Sequence, residues 1–135
     1  MLHVTRTALV AATLLMFATG ASAATRFNIS YPADMSTEPL MGRIILVVAP
    51  AASETEPRLQ VIWDQDAVPF FGIDVHDWKA GERRVIDRKS FGFPLRSIDD
   101  LQPGDYRVQA VLNRYEKFTL GDGRQLELAP DQGEG

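Results

Sequence analysis

Apolar and polar residues alternate along several stretches of this chain, as they do in strands that bury one face. The longest stretch follows a turn signal at Pro103 and Gly104, and it places four apolar residues on one face: Tyr106, Val108, Ala110 and Leu112. The same period predicts a strand over residues 58–64, with Leu59, Val61 and Trp63 on one face, and another around Phe27 and Ile29. These strands would be half-buried.

The segment Gly42–Pro50 is apolar on both faces, which predicts either a central strand or a strand covered from outside. Shorter strands are predicted over Arg83–Arg88 and Arg124–Pro130, and the second follows a tight-turn signal at Gly121–Gly123 that indicates a hairpin. Residues 97–104 could form one helical turn or a β-turn, and no stretch shows a sustained helical period. The predicted fold is therefore all-β, an immunoglobulin-like antiparallel β-sandwich.

The amino terminus has the pattern of a secretory signal peptide over residues 1–23. Arg6 precedes an apolar run at Ala8–Ala18 that is too short to span a bilayer, and small residues at Ala21–Ala23 suit a signal peptidase. A retained membrane anchor is the alternative. We expect a periplasmic or extracellular protein with one β-sandwich domain over residues 24–129, followed by a linker or truncated tail at residues 130–135.

The net charge and the absence of cysteine exclude several classes of partner and of chemistry. Loss of Arg6 would leave 13 basic against 18 acidic residues, so we expect no nucleic-acid partner and no binding to an anionic membrane surface. The chain has no cysteine, which leaves no thiol nucleophile and no thiolate metal ligand.

No hydrolase motif stands out in the sequence. None of the serines lies in a G-x-S-x-G elbow, and a triad of His76 with Ser90 and Asp74 would need a coincidence of folding. Carboxylate pairs for glycoside hydrolysis could come from a larger set: Asp74, Asp77, Glu82, Asp99 and Asp100. A domain of this size has little room for a cleft, so we expect no catalytic residues.

Metal ligands are present but sparse. Asp74 and His76 would share one face of a strand, and Asp64 and Asp66 offer oxygen ligands without the spacing of a calcium loop. We predict a solvated acidic loop, with no metal and no cofactor.

Aromatic residues crowd the middle of the chain, at Phe70, Phe71, Trp78, Phe91 and Phe93. If Trp63 and Tyr106 occupy the centre of the core as structural residues, the five cannot all be buried in so small a domain. Three interpretations are open for this aromatic set: core, protein interface or sugar-stacking platform.

Two resemblances extend these predictions. The positions Leu101, Pro103, Gly104, Tyr106, Val108 and Ala110 resemble the L-x-P-G-x-Y-x-V-x-A segment of immunoglobulin-like and transthyretin-like secreted modules. That resemblance implies that Tyr106 is buried at a sheet corner with its hydroxyl bonded to the backbone, and that Trp63 is a core tryptophan.

Residues 42–135 are also similar to the amino-terminal region of secreted bacterial proteins that carry an esterase domain of the α/β-hydrolase type downstream. The shared features are Gln109, Asn113, Tyr115, the turn at Asp122–Gly123 and the exit at residues 131–135. In that group the nucleophile, acid and histidine belong to the other domain, so no catalytic residue carries over to this chain.

The sequence therefore predicts a non-catalytic accessory or interaction module, whose partner is an adjacent hydrolase domain or another protein. Carbohydrate or cell-wall binding through exposed Trp78 and phenylalanines is the first alternative, and a small stand-alone hydrolase is the second.

Overall fold

A computed structural model describes residues 24–62, 64 and 66–130 of the chain. The described part is built from antiparallel strands and two short 3₁₀ turns, at Pro57–Gln60 and Ile98–Asp100. The eight strands are β1 (Phe27–Ile29), β2 (Leu40–Pro50), β3 (Phe70–Trp78), β4 (Arg84–Ile86), β5 (Phe91–Phe93), β6 (Tyr106–Arg114), β7 (Glu116–Thr119) and β8 (Gln125–Leu128). The predicted all-β, antiparallel class is confirmed. Within the described ranges, no helix is long and apolar enough to cross a membrane.

The strands form one four-stranded sheet in the order β5-β3-β2-β6 and two pairs, β1-β4 and β7-β8. β2 lies between β3 and β6, and residues 46–49 of β2 are buried on both faces. Its doubly apolar sequence therefore belongs to a central strand, the first of the two predicted alternatives. Gly42 is required near its start, since a Cβ there would overlap the backbone oxygen of Asn113 on β6.

One face of the sheet carries the main core. Alternate residues of β2 and β3, among them Ile44, Leu46 and Phe71, pack against Ile86 of β4 and Ile98 of the second 3₁₀ turn. Phe27 and Ile29 of β1 are partly buried against the same cluster. The β1-β4 pair thus covers this face of the sheet, which we call the core face.

The opposite face is covered at one end by the chain before β3. Val47 and Ala49 of β2 are buried there, together with Phe70 and Pro57. The first 3₁₀ turn contacts β2 and β6 on this side, and the backbone amide of Arg58 donates to the side-chain oxygen of Gln109 at 3.0 Å.

The strand predicted over residues 58–64 is wrong. Residues 57–60 form the first 3₁₀ turn, and residues 61, 62 and 64 form no strand. Pro57 begins the turn with a backbone angle that suits a helical start. Of the predicted buried face, Leu59 is exposed and Val61 is only half-buried. Trp63, predicted to be a core residue, lies outside the described residues, as does the predicted signal peptide.

Two other local predictions are confirmed. The turn at Gly121–Gly123 joins β7 to β8 as a hairpin, with Phe118 paired to Leu126. Residues 97–104 contain a helical turn whose Ser97 hydroxyl accepts from the Asp99 amide, while the Asp100 carboxylate accepts from the Ser97 amide.

Candidate protein-interaction surface

β6 is the longest strand at a sheet edge in the described part of the chain. It pairs with β2 over nine residues without a register shift, and none of its residues is a proline. The other edge strands have three or four residues each. Short edges protect a sheet against pairing with another chain, whereas a long regular edge is open to it.

The backbone of β6 presents alternate amide groups outward. In an antiparallel pair, residues that bond to the partner strand alternate with residues that do not. The amide of Ala51 donates to the backbone oxygen of Asp105, and the amide of Tyr115 donates to the backbone oxygen of Met41. The backbone amide and carbonyl groups of the odd-numbered residues of β6 therefore point towards β2. The outward-facing amide and carbonyl groups therefore belong to the even-numbered residues: Tyr106, Val108, Ala110, Leu112 and Arg114.

A groove of about 420 Å³ runs along this outward edge. Consecutive residues Gln109–Leu112 and then Arg114 line it, with Met35 and Ser36 on the side of the core face and Glu56 and Arg58 on the other side. We call this the β6 groove. It adjoins a smaller apolar cavity of about 160 Å³ that is lined by Ile29, Trp78 and Leu112, among others.

Apolar side chains beside the groove are exposed. Val108 is 47% exposed and Met35 is 68% exposed, and of the predicted inner face of β6 only Leu112 packs against the core. The prediction that Tyr106, Val108 and Ala110 are buried is therefore wrong. These residues are exposed because β6 lies at the edge of the sheet. The β1-β4 pair, which covers the core face, does not extend over Val108 and Tyr106.

Tyr106 keeps part of its predicted role. Its hydroxyl donates to the backbone oxygen of Gln102 at 2.7 Å, as the resemblance to sandwich modules implied. Its ring, however, is 36% exposed rather than buried. Tyr106 thus ties the turn at Pro103–Gly104 to the start of β6 without being a core residue.

Two arginines, Arg58 and Arg114, line the groove together with Glu56. Arg107 and Arg114 lie near the two ends of β6, and neither forms an ion pair with a described carboxylate; Arg107 donates to the backbone oxygen of Ser53 at 2.7 Å. Arg58 is paired with Glu56 at 2.8 Å. Hydrogen bonds from Arg58 and then from Gln109 hold the pKa of Glu56 below its usual range, so this carboxylate is already engaged.

The predicted aromatic patch is mostly core. Phe70, Phe71 and Trp78 are buried, because two of them face the main core and Phe70 packs under the covered end of the opposite face. Trp78 stacks edge-on against Tyr31 with ring centroids 4.7 Å apart, and its indole donates to the oxygen of Glu82. These three residues cannot belong to an exposed binding patch.

Phe91 and Phe93 remain near the surface. Phe91 is 54% exposed, and Phe93 is half-buried beside Phe70 with ring centroids 5.7 Å apart. Both lie on β5, at the edge of the sheet opposite β6. What remains of the predicted patch is therefore two phenylalanines on the far side of the sheet from the groove.

Asp74 and His76 share an exposed face of β3, as predicted, but they have separate partners. Asp74 accepts two hydrogen bonds from Arg43, at 2.8 and 2.9 Å, and one from the hydroxyl of Tyr115 at 2.8 Å. The Arg43 hydrogen bonds are the main cause that lowers the pKa of Asp74 to about 2. Burial is the main cause that raises the pKa of Tyr115, with the hydrogen bond to Asp74 adding to it.

His76 lies 3.1 Å from Glu127 on β8, and the hydroxyl of buried Ser90 accepts from the amide of Asp87. The hypothetical triad of His76, Ser90 and Asp74 is therefore not assembled. Among the described residues, no group of three or more histidine, aspartate or glutamate side chains is placed to hold a metal ion.

Comparison with known proteins adds no relative: no protein family, no curated protein and no solved structure matches this chain. The geometry of the β6 groove is thus the main guide to function. Sequence reasoning missed Met35, Glu56, Arg58 and Arg114 as its lining residues, since they come from three separate segments that only the sheet order brings together.

Proposed function

We propose that this chain is an exported, non-catalytic interaction module that binds a protein partner through the β6 groove. The observation that carries the proposal is the long edge of β6, which no other described strand pairs with and which combines outward backbone groups with exposed apolar side chains. Exposed apolar surface next to a groove is typical of a partner site. The partner we propose is a hydrolase domain of the esterase type, which this module positions or assists.

We also propose that the fold is an immunoglobulin-like sandwich in which β1-β4 forms a short second layer. The shared core between this pair and the four-stranded sheet supports that proposal, as does the Tyr106 hydrogen bond to Gln102. A short second layer accounts for the open side at β6, since two three-residue strands cannot cover four strands of the sheet.

Selection of displayed random polypeptides against the immobilised chain tests the interaction role. We expect binders whose binding is lost in the variant Ala110→Pro, because proline removes an outward amide and its ring would project from the free edge. Phe91→Ala, at the opposite edge of the sheet, is the matched control and should bind as the wild type does. Binders that ignore Ala110→Pro but are lost in Phe91→Ala would move the partner site to β5.

Two further assays distinguish the alternative functions. A change of intrinsic tryptophan fluorescence on titration with oligosaccharides would favour a carbohydrate-binding module. Turnover of a short-chain ester that vanishes in His76→Ala would establish a stand-alone hydrolase and overturn the proposal. We expect neither response.

The esterase connection has its own test. Sequencing the genomic reading frame on both sides of this chain should reveal an α/β-hydrolase domain with a G-x-S-x-G elbow, in the same frame or in an adjacent gene. A neighbourhood without any hydrolase would remove this partner and leave the interaction role itself in place.

A further inference from the structure

We infer that the β6 groove binds its partner by strand addition, and that the partner segment is an extended peptide that combines apolar residues with acidic ones. This inference rests on the proposed interaction role and specifies its chemistry. An extended peptide bound at a sheet edge gains main-chain hydrogen bonds from the strand and specificity from its alternating side chains.

The outward backbone groups of β6 supply the main-chain contacts. Five even-numbered residues direct amide and carbonyl groups away from β2, and within the described ranges no hydrogen bond from another residue occupies these groups. A peptide antiparallel to β6 would continue the ladder at an ordinary strand spacing.

The two sides of the groove supply different side-chain contacts. On the core face, alternate peptide residues would lie against Val108, Ala110 and Leu112, with Met35 beside them. Apolar residues fit these positions, since exposed Val108 and Met35 would be withdrawn from water.

The arginines at the groove favour a peptide that carries acidic residues. Arg58 and Arg114 line the groove and Arg107 lies beside it on β6, while Glu56, the one acidic residue of the lining, is paired with Arg58. Opposite charges on facing strand positions are favourable and like charges are unfavourable. This local positive charge contrasts with the net charge of −4 of the whole chain.

A recessed edge also favours a single peptide strand over the edge of a second copy. Residues 35, 36, 56 and 58 flank β6 from both sides. If the β6 edges of two copies paired, the flanking residues of each copy would overlap with those of the other. An extended peptide has no such flanking residues.

The test uses the full chain and a synthetic nine-residue peptide of alternating valine and threonine. One glutamate is placed opposite Arg114 and another opposite Arg107, and binding is followed by NMR titration of the labelled protein. We expect amide shifts confined to β6 and the residues that flank the groove. A peptide with both glutamates replaced by lysine should bind about tenfold more weakly at low salt.

Charge reversal in the protein provides the matched control. In the double variant Arg107→Glu and Arg114→Glu, the lysine peptide should bind more tightly than the glutamate peptide. Both arginines are exposed, and Arg107→Gln with Arg114→Gln is a milder second variant that should weaken the preference without inverting it. A peptide N-methylated at the residues facing Val108, Ala110 and Leu112 should lose binding, since it lacks the donors that strand addition needs.

The outcomes separate this inference from the proposed function. Equal binding of glutamate and lysine peptides, or binding that survives N-methylation, would overturn strand addition by an acidic segment. Displayed binders that are lost in Ala110→Pro but are helical or basic would uphold the interaction role and refute only this inference. Self-association through β6 in sedimentation experiments would replace the peptide by a second copy of the chain.

Discussion

Asp74 is the residue with the best-defined electrostatic environment in the described part of the chain. Its carboxylate joins β3 to Arg43 on β2 and to Tyr115 after β6, so one side chain connects three adjacent strands. The same contacts explain why Asp74 is not free to act as a general acid or a metal ligand. Asp74, which the sequence offers as a candidate catalytic carboxylate or metal ligand, thus connects strands of the sheet instead.

The stability of the folded chain should depend on pH through Asp74. The pKa of Asp74 in the folded chain is about 2, below its ordinary value of 3.8, so its contribution to stability is complete above pH 3.8 and is lost as the pH falls towards 2. Because its side chain is 44% exposed, screening reduces that contribution to about 1 kcal/mol or less. Asp74→Asn should therefore lower the free energy of unfolding by about this amount at pH 7, measured in urea.

At pH 2, where about half of the Asp74 carboxyls of the folded chain are protonated, the difference between Asp74→Asn and the wild type should fall to a small part of its value at pH 7. Asp77→Asn is the control, since the Asp77 side chain is exposed, with its carboxylate 3.9 Å from Lys79, and asparagine tolerates its positive φ of 48°. A loss that persists unchanged at pH 2 would show that the hydrogen bonds of Asp74, and not its charge, hold the three strands.

At the scale of the element, β6 differs from β2 although both are long strands. Among the described strands, β2 bonds to a neighbour on each side, while β6 bonds to a neighbour on one side only. Amide hydrogen exchange should report this difference directly, because exchange requires that the hydrogen bond of an amide be broken.

We expect the amides of Val108, Ala110 and Leu112 to exchange at least about tenfold faster than those of Gln109 and Val111. Ile45 and Leu46 of β2 are the control, and both should be protected. The measurement is native-state exchange followed by NMR. Uniform protection across residues 108–112 would mean that another chain or segment already pairs with β6.

The sequence predicted β2 and the β7-β8 hairpin because each rests on a local signal: a doubly apolar run in one case and a glycine turn in the other. It could not predict the exposure of Val108, since alternation shows that a strand has two unlike faces but not whether anything covers the apolar one. The error at residues 58–62 has a related cause. Leu59 and Val61 imitate a strand, whereas Pro57 starts a 3₁₀ turn.

The β6 groove could not be predicted from the sequence for a similar reason. An aromatic residue such as Phe71 looks the same in the sequence whether it fills the core or a surface patch. The β6 groove depends on which strand lies at the edge, and sheet order is a property of long-range pairing. Only Tyr106, through a hydrogen bond to a residue four positions away, followed a recognisable local motif.

In the molecule as a whole, the main core and the proposed binding groove lie in different parts of the structure. The main core lies between β2, β3 and the short strands, and it includes fully buried Phe71, Ile86 and Ile98. The open groove lies at the periphery of that core. A partner can therefore bind at β6 without any rearrangement of the side chains that hold the fold together.

The β7-β8 hairpin is the most separate element of the molecule. Its two four-residue strands pair with each other in a sheet of their own, and Phe118, Leu126 and Leu128 remain partly exposed. Its Glu127 carboxylate lies 3.1 Å from His76 of β3, whose side chain is 61% exposed. An isolated two-stranded hairpin has little stability of its own.

A chain shortened to residues 24–115 should consequently keep its fold, with a free energy of unfolding within about 1 kcal/mol of that of residues 24–130, since an exposed polar contact such as that between His76 and Glu127 contributes little. Urea unfolding followed by tryptophan fluorescence measures this difference, and His76→Ala in the longer chain isolates the contribution of the contact with Glu127. The denaturant slope should fall only in proportion to the surface removed. A loss of several kcal/mol would mean that the hairpin folds with the core as one cooperative unit. The hairpin would then be one of the elements that hold β6 in place.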